Sequence, residues 1–282
     1  MEPRRRAIEL SQGRLHVVEL GPETGTPVLF LHGVLANGRL WEHSARLLAP
    51  RHRCLIPDLP LGAHSEALGA HADLSPSGVV RMLGQLLDAL GVESVHLVGN
   101  DSGGALCQLF LVAFPERVRS VTFTSSDAYD VWLPWLFKPL EFAAFVPGAL
   151  FVVSQLLRWR WVRRLPFALG WLSRRMPDEL SDSFVLPFAR SSGVRRDVAR
   201  FLRGISPRLT RAAALHFSSF RKPVLVAWSR DDRFFSAALG QRLADAFPNS
   251  RLSFIEDSYT FSPVDQPEQL AAKLEDFLCG FS

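Results

Sequence analysis

The chain has 282 residues, of which 48% are hydrophobic and 21% are charged. This composition can fill a core and excludes intrinsic disorder, and α/β folds of this length often form a single domain. Three scattered cysteines exclude a disulfide framework and a zinc cluster, and we expect no metal or cofactor. The N-terminal residues lack the apolar run of a secretory signal, so we expect a cytoplasmic location.

Charge is distributed unevenly along the chain. The formal net charge is +4, but residues 127–217 carry +7 together with five of the seven tryptophans, and the remainder carries −3. This basic stretch matches no nucleic-acid-binding motif, so we expect no nucleic-acid partner. We expect its arginines to form a solvated face without membrane contact; an acidic ligand or a membrane surface is the alternative. These arginines are Arg158, Arg160, Arg163 and Arg164.

The first 126 residues alternate strand-like and helix-like runs, beginning with two short runs that predict a β-hairpin. Ser75 followed by Pro76 predicts the start of a helix, because serine caps helices and proline suits their first turn. Gly91 predicts the end of that helix, and a second, strongly apolar helix is predicted at 105–114. The predicted strands are 6–10, 15–20, 28–31, 53–58, 95–98 and 118–124.

The alternation returns near the C-terminus. Strands that alternate with helices indicate parallel pairing with right-handed crossovers. We therefore predict an α/β fold with a mostly parallel, twisted sheet of about eight strands and helices on both faces. The predicted elements of this part are strands at 223–228 and 251–255 and helices at 237–247 and 268–278.

Residues 127–217 interrupt the alternation and are predicted to be a helical cap, inserted into a core formed by residues 1–126 and 218–282. An insertion after the carboxyl end of a strand lies where open α/β sheets bind ligands. The apolar run 142–157 is too short and too broken to span a membrane. We expect the cap's aromatic side chains to form mainly its own core, while some line a pocket for a small hydrophobic substrate. They are Trp132, Trp135, Phe142, Phe145, Trp159, Trp161 and Trp171.

The most specific motif is Val98-Gly-Asn-Asp-Ser-Gly-Gly104, which lies between a buried strand and a buried helix. A sharp strand-to-helix turn strains the backbone of its central residue, points that side chain at the ligand and requires small residues two positions away on each side. Centring the turn on Asp101 places Gly99 and Gly103 at these positions. Centring it on Ser102 places a larger residue on one side, so we favour Asp101 and keep Ser102 as the alternative.

Four further segments accompany this elbow: Leu31-His32-Gly33 and residues 58–65, 114–118 and 228–235. Together they resemble the α/β-hydrolase superfamily over essentially the whole chain. The resemblance implies that the backbone N–H groups of Val34 and Ser102 form an oxyanion hole. An aspartate at the elbow is similar to the haloalkane dehalogenase and epoxide hydrolase branches, in which a carboxylate attacks the substrate and forms an alkyl ester.

The same resemblance assigns the other members of a catalytic triad. By register, Asp232 falls at the position of the triad acid, while Asp127, after the strand that follows the elbow, is the second candidate; we favour Asp232. The position of the family's histidine is occupied by Thr260. Threonine cannot act as a base near neutral pH, so this atypical Asp-Asp-Thr set should block hydrolysis of a covalent ester.

Two histidines are candidates for a relocated base. His64 lies on a loop at the ligand-facing end of the predicted sheet, and His32 precedes the oxyanion turn, where its usual role is structural. His52 and His96 fall at the far end of the sheet, and we expect them at the surface.

Other departures weigh against the activities of the two named branches. Dehalogenases place a halide-binding tryptophan after the nucleophile and commonly an asparagine after the His-Gly pair, where this chain has Ser102 and Val34. Epoxide hydrolases use two cap tyrosines, but this chain has only Tyr129 in the predicted cap. Neither activity is therefore assigned from the resemblance.

We predict an enzyme that acts on a small, largely hydrophobic substrate through Asp101. Without an imidazolium between them, Asp101 and Asp232 would repel, and a protonatable carboxyl in an apolar pocket is a usable acid or base. The chemistry is either atypical hydrolysis or proton transfer in an elimination, isomerisation or cyclisation, with Thr260 bonded to a carboxylate or to the substrate. The alternative is a catalytically inactive ligand-binding pseudo-hydrolase. The oligomeric state is left open.

Overall fold

The computed structural model describes residues 2–280, and one eight-stranded sheet lies at its centre. The strands are β1 (Arg4–Leu10), β2 (Gly13–Leu20), β3 (Thr26–Leu31), β4 (His52–Pro57), β5 (Val95–Asp101), β6 (Val118–Ser126), β7 (Val224–Ser229) and β8 (Ser250–Ile255). Their order across the sheet is β1-β2-β4-β3-β5-β6-β7-β8. The pairs β1–β2 and β2–β4 are antiparallel, and the others are parallel. The predicted mostly parallel α/β sheet is confirmed.

The sequences of the strands reflect how deeply each one is buried. All six residues of β7 and all seven of β5 are buried, as expected for parallel strands that helices cover on both faces and that therefore form continuous apolar runs. β1, at the edge of the sheet, begins with three consecutive exposed arginines. Charged side chains at an edge discourage pairing with another chain.

Six helices belong to the part of the chain that contains the sheet: α1 (Glu42–Leu48), α2 (Pro76–Ala89), α3 (Ser102–Ala113), α10 (Ala237–Asp245), α11 (Ser262–Asp265) and α12 (Pro267–Cys279). α2 begins as predicted, with Ser75 Oγ accepting a hydrogen bond from the Gly78 N–H at 3.1 Å. α3 begins at Ser102, three residues before the predicted start, because β5 continues to Asp101 and no loop separates the two elements. The turn is therefore sharper than predicted.

Residues 127–217, hereafter the insertion, lie between β6 and β7 and contain six short helices. They are α4 (Lys138–Ala143), α5 (Ala149–Leu156), α6 (Arg160–Arg163), α7 (Asp178–Arg190), α8 (Ser192–Gly204) and α9 (Pro207–Ala214). The helical character matches the prediction. The division into a core and a cap stays a prediction. Residues 1, 281 and 282 of the predicted core lie outside the described residues. None of the helices within residues 2–280 combines the length and the apolar character that crossing a membrane requires.

The aromatic side chains of the insertion are mostly exposed, contrary to prediction. Trp132 is fully buried, but the other six of the seven are 38–77% exposed. The helices of the insertion do enclose buried aromatic side chains, but these are other residues, namely Phe184 and Phe188 on α7 and Phe201 on α8, and the predicted ones are left at the surface. The exposed six are Trp135, Phe142, Phe145, Trp159, Trp161 and Trp171.

Arg163 departs from the predicted solvated face, because its side chain is only 4% exposed. Its guanidinium donates hydrogen bonds to the carbonyl oxygen of Leu157 at 2.6 Å and to Ser181 Oγ at 3.0 Å, and it pairs with Asp182. These contacts hold the four-residue helix α6 against α7. The other three arginines of the group are exposed, as predicted.

Candidate active site

Asp101 occupies the turn between β5 and α3, with φ 53° and ψ −130°. Residues other than glycine rarely adopt positive φ, at a cost on the order of 1–3 kcal/mol, and such residues cluster at functional sites. Glycine is required on both sides of the turn. A Cβ on Gly103 would lie 2.1 Å from the carbonyl oxygen of Leu31, and one on Gly99 would lie 2.7 Å from that of Gly103. The strained residue is therefore Asp101 and not Ser102.

The carboxyl group of Asp101 lies against the loop that follows β3. A Cβ built on Gly33 would come within 2.0 Å of Asp101 Oδ2, so the carboxyl occupies space that any other residue at position 33 would fill. The backbone N–H of Ser102 hydrogen-bonds to the same carboxyl. Asp101 itself thus engages one of the two N–H groups predicted for the oxyanion hole. Val34, which carries the other, lines the adjacent cavity.

A cavity of about 340 Å³ lies between the carboxyl ends of the strands and the insertion. Its volume falls within the range of small-molecule sites. Val34, Leu35 and Asp101 line it from the sheet side, and the other lining residues belong to the insertion. Among residues 2–280, Asp101 is the one lining residue with a polar side chain. The site is therefore a single carboxyl in an apolar chamber.

Backbone strain is concentrated around this cavity. In the described chain, five non-glycine residues have positive φ, and three of them line the cavity: Leu35, Asp101 and Leu133. The backbone N–H of Leu133 donates to Asp127 Oδ1 at 3.0 Å, which helps to fix its conformation. Such outliers persist only where the surrounding structure holds them. The cavity wall is therefore shaped by specific contacts and not by helix geometry alone.

Asp127 is fully buried beside the elbow but does not line the cavity. The hydroxyl of Ser102 donates to its Oδ2 at 2.8 Å, and the side-chain amide of Gln108 donates to its carbonyl oxygen at 2.7 Å. With the Leu133 contact, these bonds connect α3, the end of β6 and the start of the insertion. Asp127 therefore positions the elbow and places a second carboxyl close to Asp101.

Asp232 and Thr260 meet on the other side of the site. The Thr260 hydroxyl donates to Asp232 Oδ1 at 3.0 Å, and the backbone N–H groups of Phe234 and Phe235 donate to the same oxygen. Asp232 Oδ2 is buried and makes no hydrogen bond within the described part of the chain. The position that register gives to the family's histidine thus holds a hydroxyl that binds the acid and cannot take up a proton near neutral pH.

The pKa values of the three carboxyl groups shift in the same direction. Burial, and then the neighbouring charge of Asp127, raises the pKa of Asp101 well above its usual value, although the Ser102 N–H opposes this. Burial also raises the pKa of Asp127 to about 7 and raises that of Asp232. Three carboxylates cannot all remain charged in such a buried space. The surroundings therefore favour the protonated form of Asp101.

Neither candidate for a relocated base lines the cavity. His32 Nδ1 donates to the Gly33 carbonyl oxygen at 2.9 Å, since its Nε2 accepts from the Leu59 N–H, and burial lowers its pKa to about 4. His64 Nε2 lies 3.3 Å from Asp197 Oδ2. Both rings therefore make structural contacts. No histidine among residues 2–280 lines the cavity.

The predicted surface location of His52 and His96 is wrong, because both are buried. His52 Nε2 lies 3.1 Å from a carboxylate oxygen of Glu275 on α12, which packs over the start of β4. His96 Nδ1 lies 2.6 Å from Ser120 Oγ on the neighbouring strand β6. These partners lie on a distant helix and on a neighbouring strand, which the pattern around each histidine does not position.

Three polar contacts at the site were not identified from the sequence. The Asn100 side-chain amide donates to Thr124 Oγ1 at 2.9 Å and to the Thr260 carbonyl oxygen at 2.7 Å, which connects the elbow to the loop after β8. The Ser102 hydroxyl binds Asp127, whereas the sequence pointed only to its backbone N–H. Asn100 and Thr260 are 160 positions apart, and no local pattern indicates that they meet.

Comparison with known proteins tests the resemblance on which these assignments depend. The family model of the alpha/beta hydrolase fold matches residues 26–267. The chain belongs to the alpha/beta hydrolase fold family. It is 22% identical to carboxylesterase YbfK of Bacillus subtilis over 270 residues, which cover 95% of this chain and 85% of that protein. It is 27% identical to haloalkane dehalogenase 2 of Mycobacterium bovis over 288 residues, covering 95% and 93%.

A solved structure of an alpha/beta hydrolase agrees with this membership. The crystal structure of carboxylesterase CesB (YbfK) from Bacillus subtilis matches with a TM-score of 0.81 and 18% identity, covering 100% of this chain and 93% of that one. At this identity the match shows the fold. The relatives are hydrolases, and the reaction of this family member is argued from its own site, since one fold hosts many reactions.

Proposed function

We propose that this alpha/beta hydrolase family member is an enzyme that transfers protons to and from a small, largely hydrophobic substrate through Asp101. The observation that supports this most strongly is the cavity: within residues 2–280, Asp101 is its one ionisable side chain, and no imidazole lines it. The reaction class that fits is isomerisation, elimination or ring closure, in which a proton is added at one atom and removed at another.

Asp101 suits the role of a general acid because its surroundings favour the neutral carboxyl. Burial and the nearby Asp127 raise its pKa, and the apolar walls exclude the water that would stabilise a charge. A neutral carboxyl can also lie beside a hydrophobic substrate without the penalty of a buried charge. The group is therefore poised to give up a proton once a substrate is bound.

In the proposed step, the Asp101 carboxyl gives its proton to a double-bond carbon or a carbonyl oxygen of the substrate and becomes a carboxylate. The carboxylate then accepts a proton from another carbon of the substrate, so the product of an isomerisation or ring closure is an isomer and no water is consumed. In an elimination the first proton goes instead to the leaving group, which departs with the electrons of the broken bond. The Ser102 N–H stabilises the transient carboxylate, and the Val34 N–H would bind oxygen charge that develops on a carbonyl substrate.

Isotope incorporation tests this mechanism. We expect small alkenes and ketones that the enzyme converts to gain deuterium at carbon in D₂O, measured by mass spectrometry against an enzyme-free background. Asp101→Asn should lose the incorporation. Asp276→Asn, the same change at an exposed carboxylate on α12, should keep it. Incorporation of ¹⁸O from labelled water, without deuterium at carbon, would identify hydrolysis and overturn the proton-transfer mechanism.

Carboxylate attack with ester formation is the second candidate. The strained elbow conformation of Asp101 and the similarity to a haloalkane dehalogenase favour it. Because Thr260 cannot activate water, we expect the ester to persist. Intact-protein mass spectrometry after incubation with a small alkyl bromide should then show one adduct per chain, absent from Asp101→Asn. A protein without any adduct would rule out this candidate.

The third possibility is a ligand-binding protein without turnover. Tight binding of an apolar ligand, unaffected by Asp101→Ala and accompanied by neither isotope incorporation nor an adduct, would establish it.

We further propose a cytoplasmic protein whose partner is a small molecule and not a nucleic acid. The apolar lining of the cavity supports this partner, and a filter-binding assay with duplex DNA and RNA at physiological salt should show no retention.

A further inference from the structure

The outer surface of the insertion carries an apolar patch that the proposed chemistry does not use. Its members are large apolar side chains that are 52–64% exposed. They fall within residues 151–167, and exposed apolar side chains grouped in this way commonly mark an interaction surface. We call it the outer patch and define it by Phe151, Val152, Leu156, Trp159, Trp161 and Phe167.

Helix α5 shows that this exposure is built into the fold. Phe151, Val152 and Leu156 lie on its outward side, whereas Ser154 is fully buried and donates its hydroxyl hydrogen to the Phe151 carbonyl oxygen at 2.7 Å. A surface helix normally places its polar residues outward and its large apolar residues inward. α5 instead carries apolar residues on both sides, since Leu150 is also buried, so its outward side is suited to an apolar environment as well.

The outer patch is continuous with the entrance of the cavity. Leu156 and Phe167 both line the cavity, yet each remains more than half exposed. Their side chains therefore belong at once to the inner wall and to the outer surface. An apolar molecule that leaves a hydrocarbon phase at this position could reach Asp101 without crossing water.

Basic residues border the patch. Residues 158–164 read Arg-Trp-Arg-Trp-Val-Arg-Arg. Arg160 and Arg164 are exposed and form ion pairs with Asp178 and Asp182 on α7, while Arg163 is buried. Arg158 is exposed and forms no ion pair within the described residues; its guanidinium donates to Gln155 Oε1. Tryptophan and arginine beside an apolar surface are typical of segments that lie at the lipid–water boundary, where cations meet anionic headgroups.

We propose that the outer patch docks on the surface of a lipid bilayer that contains anionic headgroups, with the entrance of the cavity facing the acyl chains. Substrate then enters from the bilayer. A second copy of the chain fits less well, because a two-fold contact would bring the Arg158 side chains of both copies to one interface and cover both entrances. The docking does not depend on which reaction Asp101 performs. It replaces the expectation of a merely solvated face.

Vesicle co-sedimentation of the full chain tests the proposal. We expect binding to phosphatidylcholine vesicles that contain phosphatidylglycerol, and at least tenfold weaker binding by Phe151→Ser/Trp159→Ser/Trp161→Ser. The matched control is Leu47→Ser/Leu215→Ser, which removes two exposed leucines outside the patch and should bind as the unaltered protein does. Arg158→Glu should weaken binding to the anionic vesicles and leave any binding to pure phosphatidylcholine unchanged. Circular dichroism melting confirms that each variant is folded.

Three outcomes would overturn the proposal. The first is an unaltered protein that fails to bind anionic vesicles at low ionic strength. The second is a folded triple variant that binds as strongly as the unaltered protein. The third is a dimer, seen by analytical ultracentrifugation, that the triple variant abolishes while vesicle binding is absent, since this would identify the patch as an interface between copies. Each readout is independent of catalysis.

Discussion

The two sides of the cavity differ in chemistry and in origin. The sheet side supplies Asp101, Asp232 and Thr260, held by hydrogen bonds at the ends of strands or in the loops that follow them, and Asp127, the first residue of the insertion, directly follows β6. The insertion supplies apolar walls and an equally apolar outer surface. Rigid strand ends keep reacting groups in place, while loops and short helices determine which molecules arrive. Residues on the sheet side should therefore affect the chemical step, and residues of the insertion should affect substrate entry and binding. Variants on the two sides test this difference.

Removing the central carboxyl should have the largest effect. We expect Asp101→Asn to lower kcat/KM by about 10²- to 10⁴-fold, the usual contribution of a general acid or base. The same variant should be more stable at pH 7, by on the order of 1 kcal/mol. The pKa of Asp101 is raised by folding, so its contribution to stability is largest below the unfolded-state pKa and is lost as the pH rises. Kinetics and thermal melting measure both effects.

The two effects of Asp101→Asn distinguish a functional carboxyl from a structural one. Loss of activity together with a lower melting temperature would mean that Asp101 stabilises the fold. The loss of activity could then not be assigned to catalysis by Asp101. Asp276→Asn should change neither quantity, because that carboxylate is exposed and pairs with Arg251.

Supplying an imidazole should change the reaction on the sheet side. If Asp101 forms an ester, Thr260→His should convert a single turnover into repeated hydrolysis, because a histidine beside Asp232 can activate water. The larger ring at a fully buried position should cost about 1–3 kcal/mol of stability. Burst kinetics with an alkyl bromide measure the change. Thr260→Gln, which adds volume without a base, should remain limited to one turnover.

Asp127 should act on Asp101 through charge. If protonated Asp101 is the acid, activity falls as the pH rises through its pKa, and Asp127 raises that pKa. Asp127→Asn keeps an acceptor oxygen for the Leu133 N–H, and its amide N–H can donate to the Ser102 hydroxyl, but the charge is removed. The descending limb of the kcat/KM profile should therefore move to lower pH. A limb that ascends with pH would instead indicate that ionised Asp101 is the reactive form.

Asp127 should also contribute to the pH dependence of the free energy of unfolding. Because folding raises its pKa to about 7, stability is full at low pH and declines as the pH rises from about 4 to about 7. The decline attributable to this group is on the order of 4 kcal/mol. Urea denaturation across this range measures it, and Asp127→Asn should flatten the curve. An unchanged curve would show that Asp127 is not the group responsible.

Altering the insertion should have the smallest effect on the chemical step. Leu169 is buried and lines the cavity, so Leu169→Ala should raise KM by about tenfold or more for substrates that contact it and leave kcat within about twofold. Substrate binding and turnover kinetics measure the two constants. A large fall in kcat would show that the insertion also aligns the reacting groups. It would contradict the expectation that the insertion affects only substrate binding.

The sheet and the elbow could be predicted because local physics fixes them. Strands covered on both faces, such as β5 and β7, form apolar runs. The glycines around Asp101 follow from the close approach of the backbone at a sharp turn. Thr260 was found by register alone, since it stands at a fixed distance from the last strand.

The insertion and the polar contacts could not be predicted from local patterns. A helix with apolar residues on every side, such as α5, does not reveal which side meets solvent. The contact between Asn100 and Thr260 depends on how distant loops meet after folding. The burial of Arg163 depends likewise on Asp182 and Ser181, which belong to a different helix.

The buried guanidinium of Arg163 limits how a ligand can enter. It bonds to the chain at Leu157 and Arg158 on one side of α6 and to α7 on the other, and an uncompensated buried charge would result if these elements moved apart. Opening of the segment bearing Trp159 and Trp161 would break the bonds of Arg163 to α7, and we expect this cost to oppose a hinged flap. We therefore expect a ligand to pass by rotation of the exposed Leu156 and Phe167 side chains, on the nanosecond scale of exposed rotamers.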